Sequence, residues 1–114
     1  MNWRVSFYSV KLQEEILGLP AGFVARFLRY AERMEVYGPD LGMPHTRAMG
    51  EGLFELRLKA GEGIARVFYC TLVGCRVVML HQFVKKSDKT PLNQLKIARN
   101  RMKEVKDAKH SERF

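Results

Sequence analysis

Leu53-Phe54-Glu55-Leu56-Arg57-Leu58-Lys59 alternates strictly between apolar and charged side chains, the period-two pattern of a strand with one buried face. Phe54, Leu56 and Leu58 share one side, while Glu55, Arg57 and Lys59 share the other. The apolar side must pack on helices, which leaves the charged side looking outward. Two more strand candidates follow, Ile64–Leu72 and Arg76–Lys85. The links Ala60-Gly61-Glu62-Gly63 and Val73-Gly74-Cys75 are short and contain glycine, so neighbouring strands are expected to form antiparallel hairpins. If Val73-Gly74 is a two-residue turn, Leu72 opposes Cys75 and Cys70 opposes Val77. The thiols of Cys70 and Cys75 are then not cross-strand partners, and both are expected to be reduced. The run Val77-Val78-Met79-Leu80-His81 is apolar on both sides, as a central strand would be.

Upstream, residues 3–8 alternate and read as a short strand. From Ser9 the period lengthens. Leu12, Ile16 and Leu17 suit a helix with Ser9 as N-cap, stopped near Gly18. Pro20 fits the first turn of a second helix. Phe23, Phe27, Ala31 and Met34 give that helix a buried stripe, and Gly38-Pro39 ends it. The glycine- and proline-rich stretch 39–52 reads as an ordered loop. At the other end, Thr90 is a suitable N-cap and Pro91 a suitable first residue for a last helix. Leu95, Ala98, Met102 and Val105 form its apolar stripe, and five basic residues, among them Lys96 and Arg99, cover the rest. Residues 107–114 show no periodicity and are expected to fray. The order strand–helix–helix–strand–strand–strand–helix predicts an α+β fold, with the helices packed on one face of an antiparallel sheet.

The 114 residues suit one domain, placed at 1–106. At 46% hydrophobic and 28% charged, the composition excludes a disordered or fibrous chain. No apolar run approaches the roughly 20 residues of a membrane span, and the N-terminus lacks the apolar core of a signal peptide. A cytoplasmic location, with no membrane partner, is therefore expected. Two cysteines and three scattered histidines offer no zinc-site spacing, and neither a metal nor a cofactor is expected. The net charge is +8, which favours a polyanionic partner. The excess is concentrated: residues 51–114 carry fourteen basic and seven acidic side chains, against six and five in residues 1–50.

Three groups could carry chemistry. Glu55 and Arg57 set an acid and a guanidinium side by side on one strand face. Arg66, in Ala65-Arg66-Val67-Phe68-Tyr69, is an arginine in an otherwise apolar strand, costly to bury unpaired. It must either pair with an acid such as Glu55 or reach a wet groove awaiting an anion. His81-Gln82-Phe83-Val84-Lys85-Lys86 leads through Lys89 toward the helix start at Thr90, a plausible phosphate site. Adjacent strands can bring these groups onto one sheet. Arg57, Arg66, Lys85 and Lys86 would then hold a phosphodiester and the extra negative charge of its cleavage. Phe83 or Tyr69 could stack a base. RNA supplies its own 2′-hydroxyl nucleophile, so the protein needs only proton transfer and charge stabilisation. Glu55 and His81 are the nearby groups that could titrate for it.

Leu53-Phe54-Glu55-Leu56-Arg57, Ala65-Arg66-Val67-Phe68-Tyr69, and Leu80-His81-Gln82-Phe83-Val84-Lys85-Lys86 with Lys89-Thr90-Pro91 resemble the phage-derived HigB-type branch of the RelE/ParE toxin superfamily. The resemblance runs from about Trp3 to Val105. It implies a RelE-like, microbial-RNase-like α+β fold. It also implies the toxin of a type II toxin–antitoxin pair, cleaving mRNA on translating ribosomes without a cofactor. The implied partner is a helix-turn-helix antitoxin, with operator DNA bound only by the pair. By the same resemblance Arg66 and Lys86 stabilise the pentavalent phosphate, and Arg57 holds the scissile or adjacent phosphate. Lys85 holds the backbone, Lys89, Phe83, His81 and Tyr69 contribute to RNA binding, and Glu55 is a possible proton acceptor. The chain departs from several RelE-type toxins by carrying Pro91-Leu92 where they have a tyrosine, and it lacks the His-Asp cluster of other HigB enzymes. Two other readings stand beside the nuclease: a non-catalytic co-regulator acting with its antitoxin, and a ParE-like gyrase poison.

Overall fold

Switches in side-chain period mark out the elements. The computed structural model describes residues 2–85, 90–107 and 111–114. In chain order these form β1 (Arg4–Phe7), α1 (Val10–Leu17), α2 (Ala21–Tyr37), β2 (Thr46–Gly50), β3 (Leu53–Ala60), β4 (Gly63–Leu72), β5 (Arg76–Val84) and α3 (Leu92–Lys106). A short 3₁₀ turn, Ser111–Arg113, follows. Ser9 caps α1 as its sequence suggests: its hydroxyl accepts from the Leu12 amide at 3.0 Å. Pro20 lies one position earlier than expected, at the N-cap of α2. On α2 the buried stripe is Phe23, Phe27, Tyr30 and Met34.

The strands form one sheet in the order β1-β5-β4-β3-β2. The expected hairpins β3–β4 and β4–β5 are present, and β2 adds a third antiparallel pairing on β3. The sheet is nonetheless mixed, because β1 runs parallel to β5 with Arg4 opposite Arg76 and Phe7 opposite Met79. Parallel neighbours need a long crossover, and here α1 and α2 begin it. The stretch expected to be a loop contains β2. Only Thr46 of this edge strand is buried, so apolar alternation could not reveal it. β5 lies inside the sheet, next to the edge strand β1, and β4 occupies the centre.

Helices cover both faces rather than one. Leu56, Leu58, Ala65, Val67, Tyr69, Val77 and Met79 pack beneath α1 and α2 with Leu12, Ile16, Phe23 and Phe27. On the opposite face, Leu53, Phe68, Cys70, Val78 and Leu80 are covered by Ala98, Met102 and Val105 of α3. β4 and β5 are apolar on both sides, so a single helical layer could not bury them. The β4–β5 link differs by one residue from the two-residue turn: Leu72 pairs with Arg76 and Cys70 with Val78. Val73-Gly74-Cys75 makes the turn, with Gly74 at φ 92° and Cys75 at φ 57°. Neither cysteine is in a disulfide, and burial pushes the Cys70 thiol up to about 11. Of the segment expected to fray, residues 108–110 lie outside the described residues, and the last four are anchored at Ser111 and Phe114. Phe114 is buried in the α3-side core, and Arg76 Nη1 donates to the Ser111 carbonyl at 2.6 Å.

Candidate functional site

The α3 helix covers its face of the sheet only in part, and β-strand register sets out the remainder in rows. Arg47, Glu55, Phe68 and His81 are successive partners across β2, β3, β4 and β5. The next row on the same face is Arg57, Arg66 and Phe83. Beyond it lie Lys59 and Ile64, with the Lys85 amide bonded to the Ile64 carbonyl at 2.8 Å. Four separate segments thus bring the basic side chains together. His81 reaches the α3 side through a bulge: Phe68 pairs with His81 but Tyr69 pairs with Met79, leaving Leu80 as the extra residue. Such a bulge re-aims the side chains that follow it.

At the centre of the rows, Arg66 Nη1 donates to Glu55 Oε1, both side chains being buried. Thr90 Oγ1 donates to the other carboxylate oxygen, Glu55 Oε2, at 3.1 Å. The open choice for Arg66 therefore resolves toward pairing, and Glu55 has both oxygens engaged. A carboxylate so held fixes the guanidinium of Arg66 in place. Thr90, for its part, is not the N-cap of α3. Pro91 holds that position without a side-chain cap bond, and the Thr90 hydroxyl turns into the site instead.

Pairing uses only part of Arg66. Its Nε is buried without a hydrogen-bond partner among the described residues, and so is the Nε of Arg57 on the neighbouring strand. Buried N–H donors are almost always satisfied. Both guanidiniums, with Glu55, Arg47 and residues 43–46, line one cavity of about 70 Å³. Two cationic side chains from adjacent strands thus line one small cavity.

The remaining expected residues fall differently. Phe83 is 8% exposed and stacks on Phe68 at 5.6 Å between centroids, so it floors the site more than it offers a free ring face. His81 Nε2 is hydrogen-bonded to Gln94 of α3, and its Nδ1 is buried without a partner among the described residues. Burial chiefly holds its imidazole below the usual histidine range; the Gln94 bond opposes this and the Arg101 charge reinforces it. Tyr69 must be withdrawn as an RNA-stacking residue. It is fully buried on the α1–α2 face, stacked on Phe54, with its hydroxyl donating to the Pro39 carbonyl at 2.6 Å. Strand parity sets it on the face opposite Arg66. Lys86 and Lys89 lie outside the described residues.

A family model described as phage-derived protein Gp49-like matches residues 14–103. The chain belongs to that family. No curated protein sequence matches it. Among solved structures, the archaeal RelE–RelB complex from Pyrococcus horikoshii OT3 contains a similar chain, with a TM-score of 0.52 and 18% identity over 75% of this chain and 98% of that one. The Gp49-like chain therefore has the RelE fold, in agreement with the resemblance read from Arg66 and its neighbours.

In this Gp49-like site, sequence reasoning missed Arg47, Thr90 and His45. Arg47 stands opposite Glu55, but it lies on the strand concealed by exposure. Thr90 was assigned a cap, a role its residue type equally suits. His45 lines the cavity from the loop before β2, where no periodicity could place it.

Proposed function

We propose that this Gp49-like protein is the toxin of a toxin–antitoxin pair and that it cleaves mRNA on the ribosome as a metal-independent endoribonuclease. The observation that carries this reading is that Arg57 and Arg66, each with a buried Nε–H that lacks a hydrogen-bond partner among the described residues, line one small cavity. In the reaction a 2′-oxygen attacks the adjacent phosphorus while the bond from phosphorus to the 5′-oxygen breaks. A 2′,3′-cyclic phosphate and a free 5′-hydroxyl result. The 2′-hydroxyl proton leaves and the 5′-oxygen gains one. Negative charge grows on the non-bridging oxygens as the phosphorus becomes five-coordinate. Fixed donors aimed there accelerate the step, because they are already oriented before the charge develops.

Arg66, held by a Glu55 carboxylate that itself accepts from Thr90, and Arg57 beside it supply those donors. Lys85 extends the cationic surface along the RNA backbone, and Phe83 bounds it. With Glu55 committed to Arg66, proton transfer falls to groups of the ribosome or RNA, and positioning supplies much of the rate. The RelE-like fold and the complexed state of the similar archaeal structure favour an antitoxin partner. We assign that partner a helix-turn-helix domain through which the pair binds its operator DNA.

Primer extension on cellular mRNA after induced expression tests the reading. New 5′ ends inside translated codons, lost in Arg57→Ala, are the expected result. DNA damage without such ends would transfer the protein to the gyrase-poison class, and growth arrest without either would contradict nuclease action.

A further inference from the structure

Beside the phosphate cavity lies a larger pocket of about 380 Å³, lined by Arg26, Tyr30, Pro44, His45, Arg57, Lys59, Ala60 and Gly61. It opens where β2 stops short. The pairing of β2 with β3 ends at Thr46 opposite Leu56, the Arg57 amide bonds the His45 carbonyl at 2.8 Å, and residues beyond Arg57 have no strand on that side. α2 forms the opposite wall through Arg26 and Tyr30. The β3–β4 tip is tied to the start of α2 by Glu62, whose carboxylate accepts from the Gly22 amide at 2.8 Å.

Three features define the occupant. Arg26, Arg57 and Lys59 make the lining cationic, and no carboxylate of the described residues lines it. The His45 ring packs on Tyr30, centroids 4.9 Å apart and planes 40° from parallel, so a flat aromatic surface is braced from below. The pocket and the phosphate cavity share Pro44, His45 and Arg57. A volume near the lower end of the range for small-ligand sites, roughly 300–1,000 Å³, suits one nucleotide unit rather than a longer segment.

Building on the nuclease reading, we propose that this pocket is a nucleotide subsite that receives the residue of single-stranded RNA adjoining the scissile phosphate. Its base stacks on the His45 imidazole braced by Tyr30. Its own phosphate is bound by Lys59 and Arg26, and Arg57 bridges the two phosphates. Aromatic stacking tolerates any base, so the subsite sets the register of the strand rather than its sequence. Arg57 thereby becomes the link between holding a nucleotide and stressing the bond beside it.

Fluorescence anisotropy with a short 2′-O-methyl RNA, which cannot be cut because its nucleophile is blocked, tests the subsite. His45→Ala should weaken binding roughly five- to a hundred-fold, the loss of one stacked base. An oligonucleotide lacking that single base should bind wild type and His45→Ala equally. Lys59→Ala, an exposed change that leaves the core intact, should lower the salt-dependence slope by about 0.7, the value for one phosphate on a single strand. Unchanged affinity in His45→Ala together with an unchanged slope in Lys59→Ala, or failure of the wild type to bind, overturns the subsite. New mRNA 5′ ends in cells would still stand in that case. Conversely, binding that responds to both variants without any cleavage of unmodified RNA on ribosomes would retain the subsite and refute the nuclease.

Discussion

The Glu55–Arg66 pair illustrates how one residue's chemistry constrains its neighbours. Each side chain is buried, at 1% and 7% residue exposure, so removing one leaves the other charge uncompensated. Arg66→Ala should therefore cost about 3–5 kcal/mol in urea denaturation, whereas the Glu55→Leu/Arg66→Leu double variant, which removes both charges, should recover most of that loss. A small cost for Arg66→Ala would contradict the burial. Among the described residues Arg57 has no such partner, and its replacement is the cleaner functional probe. His81 gives a pH signature. Its folded pKa lies below the ordinary value, so the unfolded chain takes up a proton first as pH falls through about 6.5. The contribution to stability is complete above that pH and declines below it, until the folded imidazole also protonates. Melting temperatures should drop more on acidification in wild type than in His81→Gln; parallel curves would count against it. At this scale strict alternation put Glu55, Arg57 and Lys59 on one face of β3, and Arg66 stood out as the arginine of an otherwise apolar strand. Tyr69 was misplaced because proximity to Arg66 in sequence says nothing of the face unless parity is followed.

Elements were legible wherever their apolar pattern was strong. Ser9 and the stripe on α2 declared both N-terminal helices, and Ser9→Ala should cost about 1 kcal/mol of stability by removing the bond to the Leu12 amide. Denaturation of that variant checks it, and an unchanged midpoint would mean the cap is dispensable. Other boundaries followed physics that a linear pattern does not carry. β2 is exposed along most of its length, so nothing marks it before β3 is in place to receive it. The bulge at Leu80 is equally silent, yet it turns His81 toward Gln94. Thr90 shows the converse problem: a sound N-cap residue whose hydroxyl is instead used by Glu55.

For the whole molecule, two helical layers on opposite faces solve the burial of β4 and β5, but α3 leaves one end of its face open. Arg57, Lys59 and Arg66 stand at that end of the sheet, and they are part of the excess of basic residues in 51–114. Which segments would line the opening depended on the β3–β4–β5 register, which hairpin lengths nearly supplied, and on β2, which they did not. If RNA lies across Arg47, Arg57, Lys59 and Lys85, neutralising four phosphates gives a slope of log affinity on log salt of about −3; a flat dependence in filter binding would indicate a protein partner instead. The central claim is that the Arg57 and Arg66 donors grip a phosphodiester during its cleavage. Its most direct test is the rate of mRNA cutting by purified wild-type and Arg57→Ala protein in a reconstituted translation reaction. The account predicts a roughly 10²- to 10³-fold slower rate for Arg57→Ala with unchanged thermal stability, and equal rates for the two proteins would contradict it.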